Sequence, residues 1–219
     1  MPRKPYPKDA KVVDLVAPED LTCGNMTVRD VIGRRRSRRR YTEDCPTVEE
    51  LSFLLWATQG VSKVRELPDG IATLRTVPSG GSLHSFETYL YINRVDGVPA
   101  ALYRYVPLEH KLLFMYADPD LPGKVAHACS GQSFVETAAV VFVWTTIPYR
   151  MEWRYTIVAH KVIAIDVGHL CQNLYLASES IGAGTCAIGA YCQDEMDSIL
   201  GVDGKDEFTT YVAAVGRIE

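Results

Sequence analysis

Apolar and polar positions along the chain fall into two periodicities, and the period predicts the element. TVEELSFLLWATQG, from Thr47, sets Leu51, Leu54, Leu55 and Thr58 on one helical face. Thr47 with Glu50 three residues on forms a capping box, and Gly60 is the stop. TVRDVIGRRR repeats that start with Thr27 and Asp30, and carries Val28, Val31 and Ile32 at helical spacing. Residues 155–181 predict a long helix stopped by Gly182, with Val162, Ile165, Leu170, Leu174 and Leu176 among its apolar positions. Hydrophobicity nearly all round implies burial, in its own core or against a second subunit. LPGKVAHACSGQSFVETA and DEMDSILG are also helical in spacing.

Strand periodicity appears in FETYLYIN, and ALYRYV and KLLFMYA, separated by PLEH, predict a hairpin. AAVVFVWTT is a continuous apolar run, as expected of a strand in the middle of a sheet with both faces covered. GTCAIGAY predicts a short strand or loop and EFTTYVAAVG a last strand; residues 61–75 are a polar stretch with no predicted element. Residues 1–25, proline-rich around VVDLV, suit an extended arm that needs a surface to lie on. Residues 26–219 then form a single domain. Strands and helices without regular βαβ alternation predict an α+β sandwich, a central mixed sheet flanked by helices.

Composition narrows this picture little: 219 residues, 47% hydrophobic, suit one globular domain. The six cysteines are irregularly spaced and read as reduced packing thiols, while His84, His160 and His169 have no metal-ligand spacing, so no metal is expected. With no apolar signal region and no membrane-length run, the expectation is a cytoplasmic protein without a membrane partner.

Charge changes the picture more. The net charge is −4, yet residues 34–41 read RRRSRRRY, and without those six arginines it would be −10. So local a block excludes a general polyanion binder but leaves two readings open. Alternate arginines around Ser37 could converge on a phosphate-bearing cofactor, or the run could be a solvated or nucleic-acid-binding surface. TVPSGGSLHS is equally two-sided: Gly80 and Gly81 allow close backbone approach to a flat ring, or make an ordinary flexible loop.

Four ordered blocks carry a resemblance. Arg35, Ser37, Arg39 and Tyr41 in an R-x-S-x-R-x-Y array, PSGGSLHSFETYLYIN, DVGHLCQNLYLASESIGAGTCAIGAY and YVAAVG together resemble the FMN-dependent nitroreductase family, closest to its SagB-type dehydrogenase branch. The resemblance covers roughly residues 27–216. It implies a nitroreductase-like sandwich, a homodimer with FMN at the subunit interface, NAD(P)H as co-substrate, a small conjugated acceptor such as a nitroaromatic or quinone, and no nucleic-acid partner.

By the same resemblance, Arg35, Arg36 and Ser37 would meet the FMN phosphate and ribityl chain, and Arg39 the pyrimidine edge of the flavin. Pro78, Ser79, Gly80, Gly81 and Ser82 match the loop under the ring, although Ser82 and His84 stand where asparagine and glutamine are common. Ala187, Ile188, Gly189 and Ala190 match the strand near N5, and Arg217 is the remaining candidate for the phosphate. Peptide-oxidising SagB-type relatives carry a lysine–tyrosine pair where this chain has Arg154 and Tyr155. Arginine stays protonated and cannot act as a general base, which leaves Tyr155 as the catalytic candidate. A dedicated dehydrogenase or a flavin-binding protein without turnover are the alternatives.

Overall fold

The computed structural model describes residues 4–68 and 70–219, so the first three residues of the proline-rich arm lie outside the described residues. Nine strands and seven helices follow in chain order among them: β1 (Val12–Asp14), α1 (Val28–Arg34), α2 (Val48–Gln59), β2 (Val61–Leu67), β3 (Gly70–Arg75), β4 (Phe86–Ile92), β5 (Ala101–Val106), β6 (Lys111–Tyr116), α3 (Leu121–Ala128), α4 (Ser133–Glu136), β7 (Val140–Thr146), α5 (Tyr149–Tyr155), α6 (Ala159–Ser180), β8 (Ala183–Ile188), α7 (Gln193–Leu200) and β9 (Phe208–Arg217).

Seven strands make one sheet in the order β1-β6-β5-β4-β7-β9-β8, with helices on both faces, as the α+β expectation required. The two-residue period sorts the side chains. In β7, Val140, Phe142 and Trp144 join the core under α2 and α6, while Val141 and Val143 join the core under α3 and α7. That explains why AAVVFVWTT shows no alternation: both faces of an interior strand are covered.

The mixed sheet is corrected, because every pair of adjacent strands is antiparallel. Short connections such as the β5–β6 hairpin reverse direction between neighbours. An isolated bridge between Ser37 and Thr185 is parallel.

Three segments differ from the sequence expectation. Residues 61–67 and 70–75 pair as β2 and β3 in a separate two-stranded sheet, with Val64 and Leu67 exposed. β2 is almost wholly exposed and the buried residue of β3 is the polar Thr73, so no apolar alternation betrays the pair. The long helix starts later than expected: a separate helix, α5, ends at Tyr155, Thr156 takes φ +47°, and α6 runs unbroken from Ala159. The β-branched run Thr156–Ile157–Val158 is a poor helix former. Likewise Ser130 and Gly131, at φ +59° and +68°, divide the helical pattern at 121–138 into α3 and α4.

The arm finds its surface on its own sheet. β1 pairs with β6, the Val16 N–H donates to Ser52, and Arg104 donates to the carbonyls of Lys4 and Pro5. All six cysteines are free thiols. Among the described residues no helix is long and apolar enough to cross a membrane, and no cluster of His, Cys, Asp or Glu could hold a metal ion.

Glu50 joins the start of α2 to the end of β9. Its carboxylate accepts from the Thr47 N–H, completing the capping box, and from Arg217 at 2.6 and 2.7 Å. Thr27 caps α1 without the reciprocal bond: Asp30, one methylene shorter, accepts from the Thr27 hydroxyl instead. Glu50→Ala removes the cap's return bond and strands a half-buried guanidinium, so urea unfolding should show a loss of about 1–3 kcal/mol.

Candidate functional site

Helix α6 lies between the two groups of residues that the sequence singled out. Asp166 on it holds the glycine–serine loop, and Tyr175, nine residues and roughly 13 Å further along the helix axis, holds the arginine segment.

After α1 the chain is extended, so the arginines alternate in direction. Arg35 lies over the Tyr175 ring at 5.3 Å and Arg39 over the Phe134 ring at 5.9 Å, with Ser37 between them, its hydroxyl 3.0 Å from that of Tyr175. Arg38 points elsewhere, to Glu179 at 3.6 Å, and Arg36 donates to the carbonyls of Gly33 and Arg35, closing the end of α1. The segment is fixed along β8 by the Arg38 N–H to the Thr185 carbonyl at 2.9 Å. Glycine makes room there: a Cβ on Gly184 would come within 2.5 Å of Arg38 Cγ.

Tyr175 also receives the Ala187 N–H at 2.8 Å, so one hydroxyl ties the arginine segment to the end of β8. Beyond it Ile188 is buried, whereas Gly189 and Ala190 are exposed, and a Cβ added at Gly189 would meet nothing within 4 Å. Burial pushes the Cys186 thiol up, and the neighbouring Arg39 guanidinium works in the opposite direction. Among the described residues Arg35, Arg36 and Arg39 make no ion pair with a carboxylate. A cleft of about 740 Å³ lies on this segment, lined by Ser37 through Thr42 with Ile218 and Glu219.

Arg217 is not part of that cationic set. Its guanidinium is committed to Glu50 and to the Ile181 carbonyl, which removes it as a free phosphate ligand.

The second group is the loop after β3. Pro78 is exposed, Ser79 donates to Asp166, and Ser82 donates to the Thr73 carbonyl. Gly81, at φ +59°, lies against α5: a Cβ there would be 3.0 Å from Arg154 Nη1 and 3.1 Å from the Tyr155 hydroxyl. The Arg154 guanidinium sits 5.9 Å from the Tyr155 ring centroid. The structure therefore brings Tyr155 together with residues 79–82, and Arg35, Ser37 and Arg39 together with Ala187. Sequence reasoning missed Asp166 and Tyr175, the residues that do the joining. A carboxylate at a helical position between Ile163 and Leu170 was the readable signal for Asp166; Tyr175, one aromatic among apolar neighbours, gave none.

His84 follows the loop, buried at φ +47° with Nε2 3.3 Å from the Ser82 hydroxyl. Burial, reinforced by the Arg75 charge, lowers its pKa from 6.5 to about 3.

Two predictions follow from these contacts. Tyr175→Phe leaves the Ala187 N–H without its acceptor and should cost about 1–3 kcal/mol in chemical denaturation. For His84, the unfolded chain takes up a proton below pH 6.5 that the native state refuses until about pH 3. Its contribution therefore makes stability fall as pH drops through that window, and the slope of unfolding free energy against pH should be shallower in His84→Gln than in the parent.

Comparison with known proteins gives the family. The nitroreductase family model matches residues 32–217. A Methanocaldococcus jannaschii protein provisionally named a nitroreductase is 31% identical over 190 residues, covering 87% of this chain and 90% of that one. The trifolitoxin-processing protein TfxB of Rhizobium leguminosarum bv. trifolii is 25% identical over 171 residues, 74% of this chain and 46% of that protein, so the chain spans about half of TfxB's length. Among solved structures, a provisionally named nitroreductase of Ralstonia eutropha superposes with a TM-score of 0.76 at 25% identity, covering 100% of this chain and 95% of that one. The NADPH:FMN oxidoreductase of Vibrio harveyi, complexed with NAD+, shares the fold with a TM-score of 0.60 at 19% identity over 87% of this chain and 68% of that one. With the sheet order, the arginine segment and the loop in place, the chain belongs to the nitroreductase family and is an oxidoreductase of the flavin type.

Proposed function

We propose that this protein is an FMN-dependent oxidoreductase that uses NAD(P)H to reduce a small conjugated acceptor, a quinone or a nitroaromatic. The observation that carries the reading is the arginine segment: among the described residues Arg35 and Arg39 have no carboxylate partner, and Ser37 between them is tied through the Tyr175 hydroxyl to Ala187, just before the open strand end at Gly189. Uncompensated cations on an otherwise acidic chain suit a phosphate-bearing ligand, since charge-assisted hydrogen bonds to phosphate are strong and geometrically selective. This favours the cofactor reading of RRRSRRRY over a nucleic-acid surface, which would not require the segment to be pinned along β8.

In this reading Arg35, Arg36 and Ser37 hold the phosphate and ribityl chain, Arg39 faces the pyrimidine edge, and residues 78–82 and 187–190 shape the ring site. Bound flavin supplies a centre that accepts and returns a hydride. Arg39 would favour the negative charge of the reduced state. Gly189, exposed and without a side chain, leaves room for a planar reactant, and the Tyr155 hydroxyl is the candidate to hold or give a proton.

We place the cofactor between two copies of the chain. Val28 and Ile32 on α1, and Trp153 and Ile157 around the break before α6, are 59–86% exposed, an apolar surface that suits a homodimer. The roughly 13 Å offset between the two groups along α6 fits a site assembled at such an interface.

A second reading follows from TfxB and the SagB-type resemblance: a dehydrogenase with a peptide donor. Arg154 in place of a lysine argues against it, because a guanidinium does not deprotonate at working pH.

Purified protein should bind FMN and absorb as a flavoprotein, and Arg35→Ala should weaken binding roughly ten- to hundred-fold. Anaerobic NADH or NADPH should bleach the bound flavin and a quinone should restore it, giving parallel double-reciprocal lines. Protein that takes up no FMN sinks the reading. Flavin that dithionite reduces but neither nicotinamide does would favour the dedicated dehydrogenase.

A further inference from the structure

Asp166 is 4% exposed on a helix whose neighbouring inward positions, Ile163, Val167 and Leu170, are apolar. A carboxylate so placed is strongly unfavourable unless its oxygens are hydrogen-bonded. Among the described residues its hydrogen-bond partners come from one loop: the Ser79 hydroxyl donates at 2.6 Å, and the Gly80 N–H points at both oxygens, at 3.0 and 3.1 Å. The Ser79 oxygen in turn accepts the His84 N–H at 3.0 Å, so the carboxylate fixes both ends of the turn that leads into β4.

The same loop also rests on Tyr155, the residue already assigned to chemistry. A Cβ on Gly80 would lie 2.4 Å from Val162 Cγ1 and 3.5 Å from the Tyr155 hydroxyl, and Gly81 touches both Arg154 and Tyr155. The loop is therefore held between Asp166 on α6 and the end of α5. Moreover, the Ser79 hydroxyl and Gly80 N–H are consumed inside the protein and are not donors for a ligand. The N–H groups of Ser82, Leu83 and His84 are spent within the loop as well, so what it can offer a ligand is its shape and the Gly81 backbone.

We infer that Asp166 is a positioning residue: it orders residues 79–84 so that the Gly81 backbone and the Tyr155 hydroxyl are held in place for the flavin, without touching the flavin itself. This rests on the reading of residues 78–82 as a cofactor-binding loop. The carboxylate serves by preorganisation, since a loop already fixed loses less conformational freedom when a ligand arrives.

The experiment compares the parent apoprotein with D166N and S79A by three measurements: FMN titration followed by flavin fluorescence, amide exchange at Gly80, and the thermal midpoint of the apoprotein. D166N keeps the volume but not the charge. It should accelerate exchange at Gly80 while leaving β4 and β7 protected, and raise the FMN dissociation constant roughly ten- to hundred-fold. S79A, which removes one bond and keeps the carboxylate, should shift both in the same direction by less, and it carries the test if D166N does not fold. Faster exchange or a lower thermal midpoint with unchanged FMN affinity would overturn the inference, leaving Asp166 a structural anchor only. Unchanged Gly80 exchange would overturn it as well. Failure of the parent apoprotein to take up FMN would instead overturn the proposed function, before any variant is compared.

Discussion

Ile163, Val167, Leu170, Leu174 and Ala177 recur at helical spacing and are all buried, so α6 can sit on the sheet in only one rotation. Full burial of a leucine-sized side chain stabilises by about 1.5–3 kcal/mol, whereas a typical hydrogen bond nets about 0.5–1.5 kcal/mol. The apolar face therefore decides where the polar groups on α6 point, and Asp166 and Tyr175 take their directions from it. From that single constraint come the placement of the loop at one level of the helix and of the arginine segment at another.

A second constraint lies in the interior charges. Glu87, buried within β4, receives Arg104 at 3.3 Å and Arg150 at 2.7 Å, so β5 and α5 are both tied to one carboxylate. Arg104 has donors to spare and uses them on the Lys4 and Pro5 carbonyls, while Lys4 reaches Glu207 and Tyr89. This is why the proline-rich arm lies along its own chain. Its polar anchors are distant in sequence, and its apolar VVDLV patch adds the three residues of β1 with Val13 and Leu15 packed against the core. The end of α5 that carries Arg154 and Tyr155 is steadied by the same carboxylate through Arg150.

Much of the fold was legible because the relevant signals are local. The Thr47–Glu50 box, the leucines of α2, the aromatic alternation of β4 and the apolar run of β7 each identify an element within a dozen residues. The β2–β3 hairpin was missed although its sequence holds the turn signal PDG, because strands so largely exposed show no apolar alternation on either side of it. The break at Thr156 was hidden by apolar residues that suit a helix in burial but not in backbone preference. In the candidate site, the alternation of Arg35, Ser37 and Arg39 could be read as strand periodicity. Their partners could not: Ser37 meets Tyr175 across 138 residues of chain and Ser79 meets Asp166 across 87, distances over which no local pattern carries information.

The lie of the arginine segment along β8 has a further consequence. An open sheet ends in rows of unpaired backbone groups that invite other chains to add on. At one margin of this sheet β1 offers three residues. At the other, the arginine segment lies on β8 through the Ser37–Thr185 bridge and the Arg38 N–H. A chain approaching that margin to extend the sheet would find the middle of β8 already partnered by its own molecule's backbone.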